Sequence, residues 1–247
     1  MCRVHHAKTI AQERETHMKL EIAIIGAGGR MGTRIDALAS NDQSVEVVAR
    51  FHRENAGERA LAHRAKVLVD FSSEKGTRAA IEIAKSTHAA LLVGTTGLPD
   101  AVKNELKVLS ASHAVLVAPN TSLGVAVTRR LARLAAELLG PAEWSVDIVE
   151  SHHDRKKDAP SGTALALASS LGEGGMRVPP DRIHAIRAGD TIGEHEIRFA
   201  GPSERLHIMH QAVSRDLFAA GALRAAKWLA GRAPGWYTMD DVLEGRA

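Results

Sequence analysis

The chain has 247 residues, 45% apolar and 25% charged, with a formal net charge of +3 and an isoelectric point near 9.2. At about 150 residues per domain this length supports one large or two modest domains, with a core that needs no covalent staples. A single cysteine, Cys2, excludes a disulfide framework and a cysteine-rich zinc module, and suits a reducing cytoplasm. No apolar run approaches the roughly 18 residues of a membrane span, and four Phe, three Trp and one Tyr leave little for base stacking. The basic excess is therefore expected to serve small anions, with no role for nucleic acid or membrane.

Residues 1–17, MCRVHHAKTIAQERETH, have neither the apolar core of a signal peptide nor the acid-poor bias of a transit peptide. A disordered extension is expected there, with Met18 directly before the first strand; His5 and His6 find no third metal ligand nearby. From Met18 to about Pro119 short apolar runs alternate with helical spacing. Leu20–Ile25, Val45–Phe51, Lys66–Phe71, Ala89–Val93 and Val115–Ala118 are predicted strands, and 31–40, 77–87 and 99–111 predicted helices. That alternation implies right-handed crossovers and a parallel sheet covered on both faces. After Asn120 the texture changes. Val125–Leu139 and Thr163–Leu171 read as helices and Val146–Glu150 as a strand. Residues 183–187 and 194–213 alternate with period two, and the Gly201-Pro202-Ser203 turn joins two strands that place Ile197 and Phe199, like Leu206 and Ile208, on one face. Phe218–Ala230 is a last helix with no evident core of its own, expected to return to the first sheet. The division that follows is a dinucleotide-binding domain of residues 18–120 and 217–247, and a substrate-binding and oligomerisation domain of 121–216 built on an open mixed sheet.

The turn Gly26-Ala27-Gly28-Gly29-Arg30-Met31-Gly32 follows a predicted strand and opens a helix, as a dinucleotide fingerprint must. Glycine is needed where the turn is tight, where amides approach a pyrophosphate and where helix meets strand, roles that fit Gly26, Gly29 and Gly32. About 20 residues on, where an acid commonly holds the ribose, the chain has Arg50, His52 and Arg53, which favours NADPH over NADH. Arg53, helped by Arg50, is expected to hold the 2′-phosphate. Gly94-Thr95-Thr96-Gly97 and Ala118-Pro119-Asn120-Thr121 fall at strand carboxyl ends, where open α/β sheets bind ligands.

The densest polar stretch runs from Glu150 to Thr163. Pro160-Ser161-Gly162-Thr163 precedes a helix and forms an anion cup, with His152, His153 and Lys156 just upstream to supply cationic or proton-donating groups. Adjacent histidines without cysteine do not make a zinc site. His207 and His210, three apart on a strand, are expected to face opposite sides as structural residues.

These stretches together resemble the 4-hydroxy-tetrahydrodipicolinate reductase (dihydrodipicolinate reductase) family of the diaminopimelate route to lysine. The resemblance rests on GAGGRMG (26–32), DFS (70–72), VGTTG (93–97), APNTSLGV (118–125), ESHHDRKKDAPSGTAL (150–165) and RAGDTIGEH (187–195), and spans Met18 to Leu243. It implies a cytoplasmic homotetramer that reduces a cyclic dicarboxylate with NADPH or NADH. By the same resemblance Gly26 to Met31 cradle the cofactor phosphates, and Gly94, Thr95, Thr96 and Ala118 to Thr121 line the nicotinamide side. His152 matches the proposed proton donor or acceptor and Lys156 the general acid; His153, Ser161, Gly162 and Thr163 hold the substrate carboxylates. Arg53 matches the family's phosphate-contacting arginine, while His52 stands where the family has its acidic ribose contact. Glu74 replaces a frequent proline, and the loops after Arg53 and Leu171 are short. The chemistry implied is hydride addition to a conjugated imine, followed by protonation of the adjacent carbon, for which a lysine among cationic neighbours is suited. The alternatives are a related amino-acid dehydrogenase, which has no use for the 150–165 segment, and a non-catalytic NADPH-binding regulator, which needs neither His152 nor Lys156.

Overall fold

The computed structural model describes residues 19–52 and 62–245. The extension at 1–17, with Cys2, His5 and His6, and the expected phosphate contact Arg53 lie outside the described residues.

Six strands make a parallel sheet in the order β10-β5-β4-β3-β1-β2. They are β1 (Leu20–Ile25), β2 (Val45–Phe51), β3 (Val67–Asp70), β4 (Ala90–Val93), β5 (Ala114–Val117) and β10 (Gly235–Tyr237). Near-continuous β-branched and leucine runs suit strands buried on both faces. Successive residues point to opposite sides, so the two faces carry separate cores. Ile22, Ile24, Val67, Val69, Leu92 and Leu116 pack with α1 (Arg30–Ser40) and α6 (Asp216–Leu229). Ala23, Ile25, Leu68, Leu91, Val93 and Val115 pack with α2 (Glu74–Thr87) and α3 (Asp100–Ser110). The late helix α6 thus returns to the first sheet, burying Ala219, Ala222, Ala225, Ala226 and Leu229. Its approach is close: a methyl group at Gly221 would stand 1.8 Å from the Thr121 carbonyl oxygen. Glu74 occupies the first position of α2 behind the Ser73 cap. That position tolerates proline because its N–H has no helical partner, and favours an acid because of the helix dipole, so the replacement preserves the helix start.

A second, mixed sheet has the order β7-β6-β8-β9: β7 (Ile183–Arg187), β6 (Ser145–His152), β8 (Glu194–Ala200) and β9 (Arg205–Gln211). The β6–β7 pairing is parallel and the other two antiparallel. One face is covered by α4 (Leu123–Leu139) and α5 (Gly162–Glu173), with Val146, Ile148, Ile197 and Phe199 in that core. The opposite face carries Asp147, His184, Glu196, Arg198 and His207, joined in exposed ion pairs such as Arg182–Asp147 at 3.2 Å and Arg198–Glu196 at 2.6 Å.

Three features depart from expectation. Strand β10 and helix α7 (Met239–Glu244) were not foreseen; three residues of GWY are too few for a periodic signal. Strand β6 runs on to His152 rather than stopping at Glu150. Because alternate residues share a face, that extension brings His152 to the side that Ile148 and Glu150 already share. Among the described residues no helix is long and apolar enough to cross a membrane.

Candidate active site

The glycine turn after β1 is shaped by close backbone contact. Gly26 has φ +83, and a methyl group there would lie 2.4 Å from the Phe71 carbonyl oxygen; at Gly32 it would lie 2.2 Å from that of Gly26. Only a residue without Cβ fits either place. Gly29 caps α1 with no side-chain hydrogen bond, so the first-turn amides at Arg30 and Met31 stay free for an anion. Ala27 is buried and Arg30 exposed. Beside this turn Asp70 is fully buried at the end of β3, accepting from Thr77 Oγ1 at 2.6 Å, from Thr95 Oγ1 at 2.9 Å and from Ser72 Oγ. Burial pushes the Asp70 carboxyl up, against these hydrogen bonds. The Thr95 hydroxyl is therefore a strut: it also accepts the Ser72 amide at 2.9 Å. Gly94 lies buried beneath the Phe71 ring, while Thr96 is exposed.

One expected phosphate ligand is committed elsewhere. Arg50 grips Asp36 of α1 through Nε at 3.0 Å and Nη2 at 2.7 Å, and its Nη1 reaches the Val47 carbonyl at 3.4 Å. The guanidinium thus turns back along β2, away from the strand's carboxyl end. Asp36 sits in the second turn of α1, and its bidentate contact with Arg50 is of the strong, charge-assisted kind.

On the second sheet the covered face changes character along its length. Beyond Ile148 and Ile197 come Glu150, His152 and His195, with Glu150 opposite His195 and His195 opposite His210 in register. Glu150 is fully buried and saturated. It accepts Arg187 Nη1 and Nη2, each at 3.0 Å, the Ser161 amide at 3.1 Å, and His152 Nδ1. Burial opposes its ionisation, but the Arg187 and His152 hydrogen bonds prevail and hold the carboxyl below the usual range. Burial lowers His152, with Lys156 and Arg187 adding to the effect and Glu150 opposing it. His195 packs edge-on against His152, ring centres 5.1 Å apart, and its Nε2 lies 3.1 Å from Ser161 Oγ. Burial, reinforced by His152, pushes His195 down to about 4.

Helix α5 starts where expected, directly after Pro160 and Ser161. Ser161 caps it by accepting the Ala164 amide at 3.2 Å, which leaves the Gly162 and Thr163 amides without helical partners. His153 is half-buried, and its Nδ1 is buried with no protein partner. Lys156 departs from expectation: its nearest charge is a carboxylate, Asp158, at 2.8 and 2.9 Å, rather than a cation. The loop after β5 reaches the cup directly, for Asn120 Nδ2 donates to Thr163 Oγ1 at 3.0 Å. Asn120 Oδ1 accepts the Ser122 amide at 2.9 Å, and Thr121 Oγ1 donates to the Phe218 carbonyl at 2.7 Å. Ala118 is buried and Pro119 exposed on the same loop.

Sequence reasoning missed Glu150, Arg187 and His195 as parts of this cluster. Their signal was the shared face of β6 and the second polar stretch at 187–195, read without roles. His207 and His210 do face opposite sides. His207 pairs with Glu196 on the open face, whereas His210 borders the cluster, with Nε2 3.3 Å from Ser122 Oγ.

Comparison with known proteins agrees with this architecture. Residues 20–121 match the model of the dihydrodipicolinate reductase N-terminus and residues 124–243 that of its C-terminus. A 4-hydroxy-tetrahydrodipicolinate reductase of Alkalilimnicola ehrlichii is 39% identical, over 92% of this chain and 99% of its own length. One from Methanosarcina mazei is 36% identical over 91% and 99%. The fold resembles a dipicolinate-bound dihydrodipicolinate reductase from Paenisporosarcina sp. TG-14, with a TM-score of 0.73 and 21% identity over 90% of this chain and 98% of that one. An engineered D-amino acid dehydrogenase bound to NADP+ shares the fold at a TM-score of 0.57 and 14% identity, over 91% and 94%. On both family models and on the relatives' near-complete coverage, the chain belongs to the dihydrodipicolinate reductase family.

Proposed function

We propose that this chain reduces 4-hydroxy-tetrahydrodipicolinate to tetrahydrodipicolinate with a nicotinamide dinucleotide, in the diaminopimelate route to lysine. The observation that carries the reading is the 3.0 Å Asn120–Thr163 hydrogen bond, which joins a cofactor-side loop to the anion-binding start of α5. The uncapped start of α1 and two glycine positions closed to any Cβ fit a pyrophosphate. When bound there, the dinucleotide supplies the hydride. In this reading Gly26 to Met31 hold its phosphates, and Gly94 to Thr96 with Ala118 to Thr121 line its nicotinamide side. The Gly162 and Thr163 amides, Ser161 and the unpartnered Nδ1 of His153 hold the dicarboxylate. Fixing both carboxylates orients the ring for transfer. Lys156 delivers the proton to the adjacent carbon after leaving Asp158, and His152 exchanges or shares a proton nearby.

The cofactor preferred is NADPH, held at its 2′-phosphate by Arg53. Residues 18–120 with 217–247 bind the cofactor, and 121–216 bind substrate and assemble a cytoplasmic homotetramer through the open face of the second sheet. That face exposes Ile186 and Met209, 48% and 57% accessible, among its ion pairs. Separate titration with NADPH and NADH, followed by loss of nicotinamide absorbance with substrate generated by the preceding synthase, tests the activity. No oxidation of either cofactor overturns it. Light scattering on the full chain tests the tetramer.

A further inference from the structure

The buried cluster below the anion cup holds a charge that the reaction itself does not use. Glu150 is fully buried, yet every lone-pair direction of its carboxylate is occupied. A buried carboxylate survives as the anion only when paired and hydrogen-bonded, and Arg187 does both with a bidentate contact. A carboxylate can only accept, so the ring nitrogen that faces it must carry the proton. That nitrogen is Nδ1 of His152. The ring's other nitrogen, Nε2, is on the far side of the imidazole, 3.0 Å from where a methyl group at Gly193 would stand.

We infer that Glu150 is a positioning residue that keeps the proton of His152 on Nδ1, so that Nε2 is presented to the substrate as a hydrogen-bond acceptor. The inference rests on the reductase reading of this site, and it resolves the role of His152 between donor and acceptor. Burial, which holds His152 below the ordinary imidazole range, favours the neutral ring in which such a choice of tautomer exists. The groups facing that ring are Glu150 on its own strand, Arg187 on β7, His195 on β8 and Lys156 on the following loop, with His210 beyond His195 on β9. None of the others is an acceptor placed at Nδ1. A carboxylate behind an imidazole orients the ring and selects its tautomer in other acid–base sites, and removing its charge misplaces the proton.

The geometry also says what Glu150→Gln would do. One carboxylate oxygen meets Arg187 Nη2 and the Ser161 amide; the other meets Arg187 Nη1 and His152 Nδ1. Both corners face the guanidinium, so the remaining partners decide which takes the new NH2 group. The backbone amide cannot give up its proton, whereas the imidazole can move its own. The NH2 group is therefore expected to face His152 and drive the ring proton to Nε2, turning an acceptor into a donor.

The test uses the full-length chain with ¹⁵N-labelled histidine, His152 being assigned by the signal lost in His152→Gln. Nitrogen shifts distinguish protonated from unprotonated ring positions without reference to activity. The wild type should show a protonated Nδ1 and a bare Nε2. Glu150→Gln should show the reverse, with kcat lowered about 10²- to 10⁴-fold, the size of an acid–base contribution, and NADPH affinity unchanged. A wild-type ring protonated on Nε2 overturns the inference, and this measurement does not need the Glu150 variant to fold. So does a Glu150→Gln protein that loses kcat with its tautomer unmoved, which marks a merely structural role, or one that changes tautomer and keeps kcat. A wild type with the expected tautomer that fails to consume NADPH with substrate instead overturns the reductase reading.

Discussion

The glycine turn after β1 and the polar segment between β6 and α5 both end on a helix start suited to an anion, yet they are built in opposite ways. Around Gly26 and Gly32 the constraint is volume, because a methyl group at either would meet backbone oxygen closer than 2.5 Å. At the corresponding start of α5 a methyl group on Gly162 would meet nothing within 4 Å. The constraint there is charge: a saturated carboxylate, its guanidinium, three nearby imidazoles and a lysine. A cradle of backbone amides serves any dinucleotide and fails when crowded. A side-chain cluster tolerates volume at its rim and fails when one proton or charge is misplaced. In the reading proposed above, cofactor binding and chemistry thereby fall to parts that fail separately.

The largest effect should come from the charged side. Lys156→Ala should abolish turnover, a loss of at least about 10²- to 10⁴-fold if the lysine supplies the proton. NADPH affinity, measured by fluorescence titration, should stay nearly intact because the cradle is untouched. Weakened cofactor binding with normal turnover at saturation would sink the assignment and erase the contrast between the two regions.

Acid should attack the same region first. His195, 4% exposed, is held near 4 by burial against a normal 6.5. Its folded value lies below its unfolded one, so the folded chain binds fewer protons across that interval. Stability is then fully present above about pH 6.5 and falls as pH drops toward 4, by up to roughly 3 kcal/mol for this group. His152 and His210, also lowered by burial, act in the same direction. Thermal melts from about pH 7.5 to pH 4.5 should slope less steeply in His195→Gln than in the wild type; equal slopes would contradict the assignment.

The volume constraint predicts a smaller, paired result. Gly32→Ala drives a methyl group into the backbone at Gly26 and should cost about 1–3 kcal/mol, with weakened NADPH binding. Gly162→Ala, at the first position of a helix and in open space, should leave the melting temperature equal or raise it, by no more than about 1 kcal/mol of stability. If both variants melt alike, the two helix starts are not built differently.

The same division explains what could be read from the chain alone. The glycine turn was legible because its determinants are contiguous: an apolar strand, a glycine cluster and a helix within Leu20 to Ser40. The capped start of α5 was legible for the same reason, through Pro160 to Thr163. The cluster behind it was not, because Glu150 meets Arg187 across 37 residues and Ser161 across 11, and no local spacing states that pairing. Arg50 misled in the converse way. Its position at the end of β2 matched a phosphate contact, but its partner Asp36 lies 14 residues earlier, on α1. Short elements escaped on length, as β10 shows. Residue type thus reveals sites made of backbone and turn chemistry, while sites made of buried charges need the register of β6, β7 and β8.

The smallest effect tests where the two kinds of construction meet. His52, exposed just after β2, stands where the resemblance places an acid, and its Nδ1 would lie 2.9 Å from a methyl group on Gly28. It abuts the glycine turn, and in the reading proposed above it meets the ribose end of a bound dinucleotide. A carboxylate there accepts from a free ribose hydroxyl and repels a 2′-phosphate, whereas imidazole does neither as strongly. His52→Glu should therefore shift the ratio of NADPH to NADH dissociation constants toward NADH. The site is solvent-exposed, and exposed charge contacts are worth about 0.2–1 kcal/mol, so the shift should be roughly two- to fivefold. It should shrink as salt is raised, because screening weakens a phosphate–carboxylate repulsion but not a steric fit. A ratio unmoved at low salt would mean that the cradle, down to its rim, discriminates by backbone shape alone.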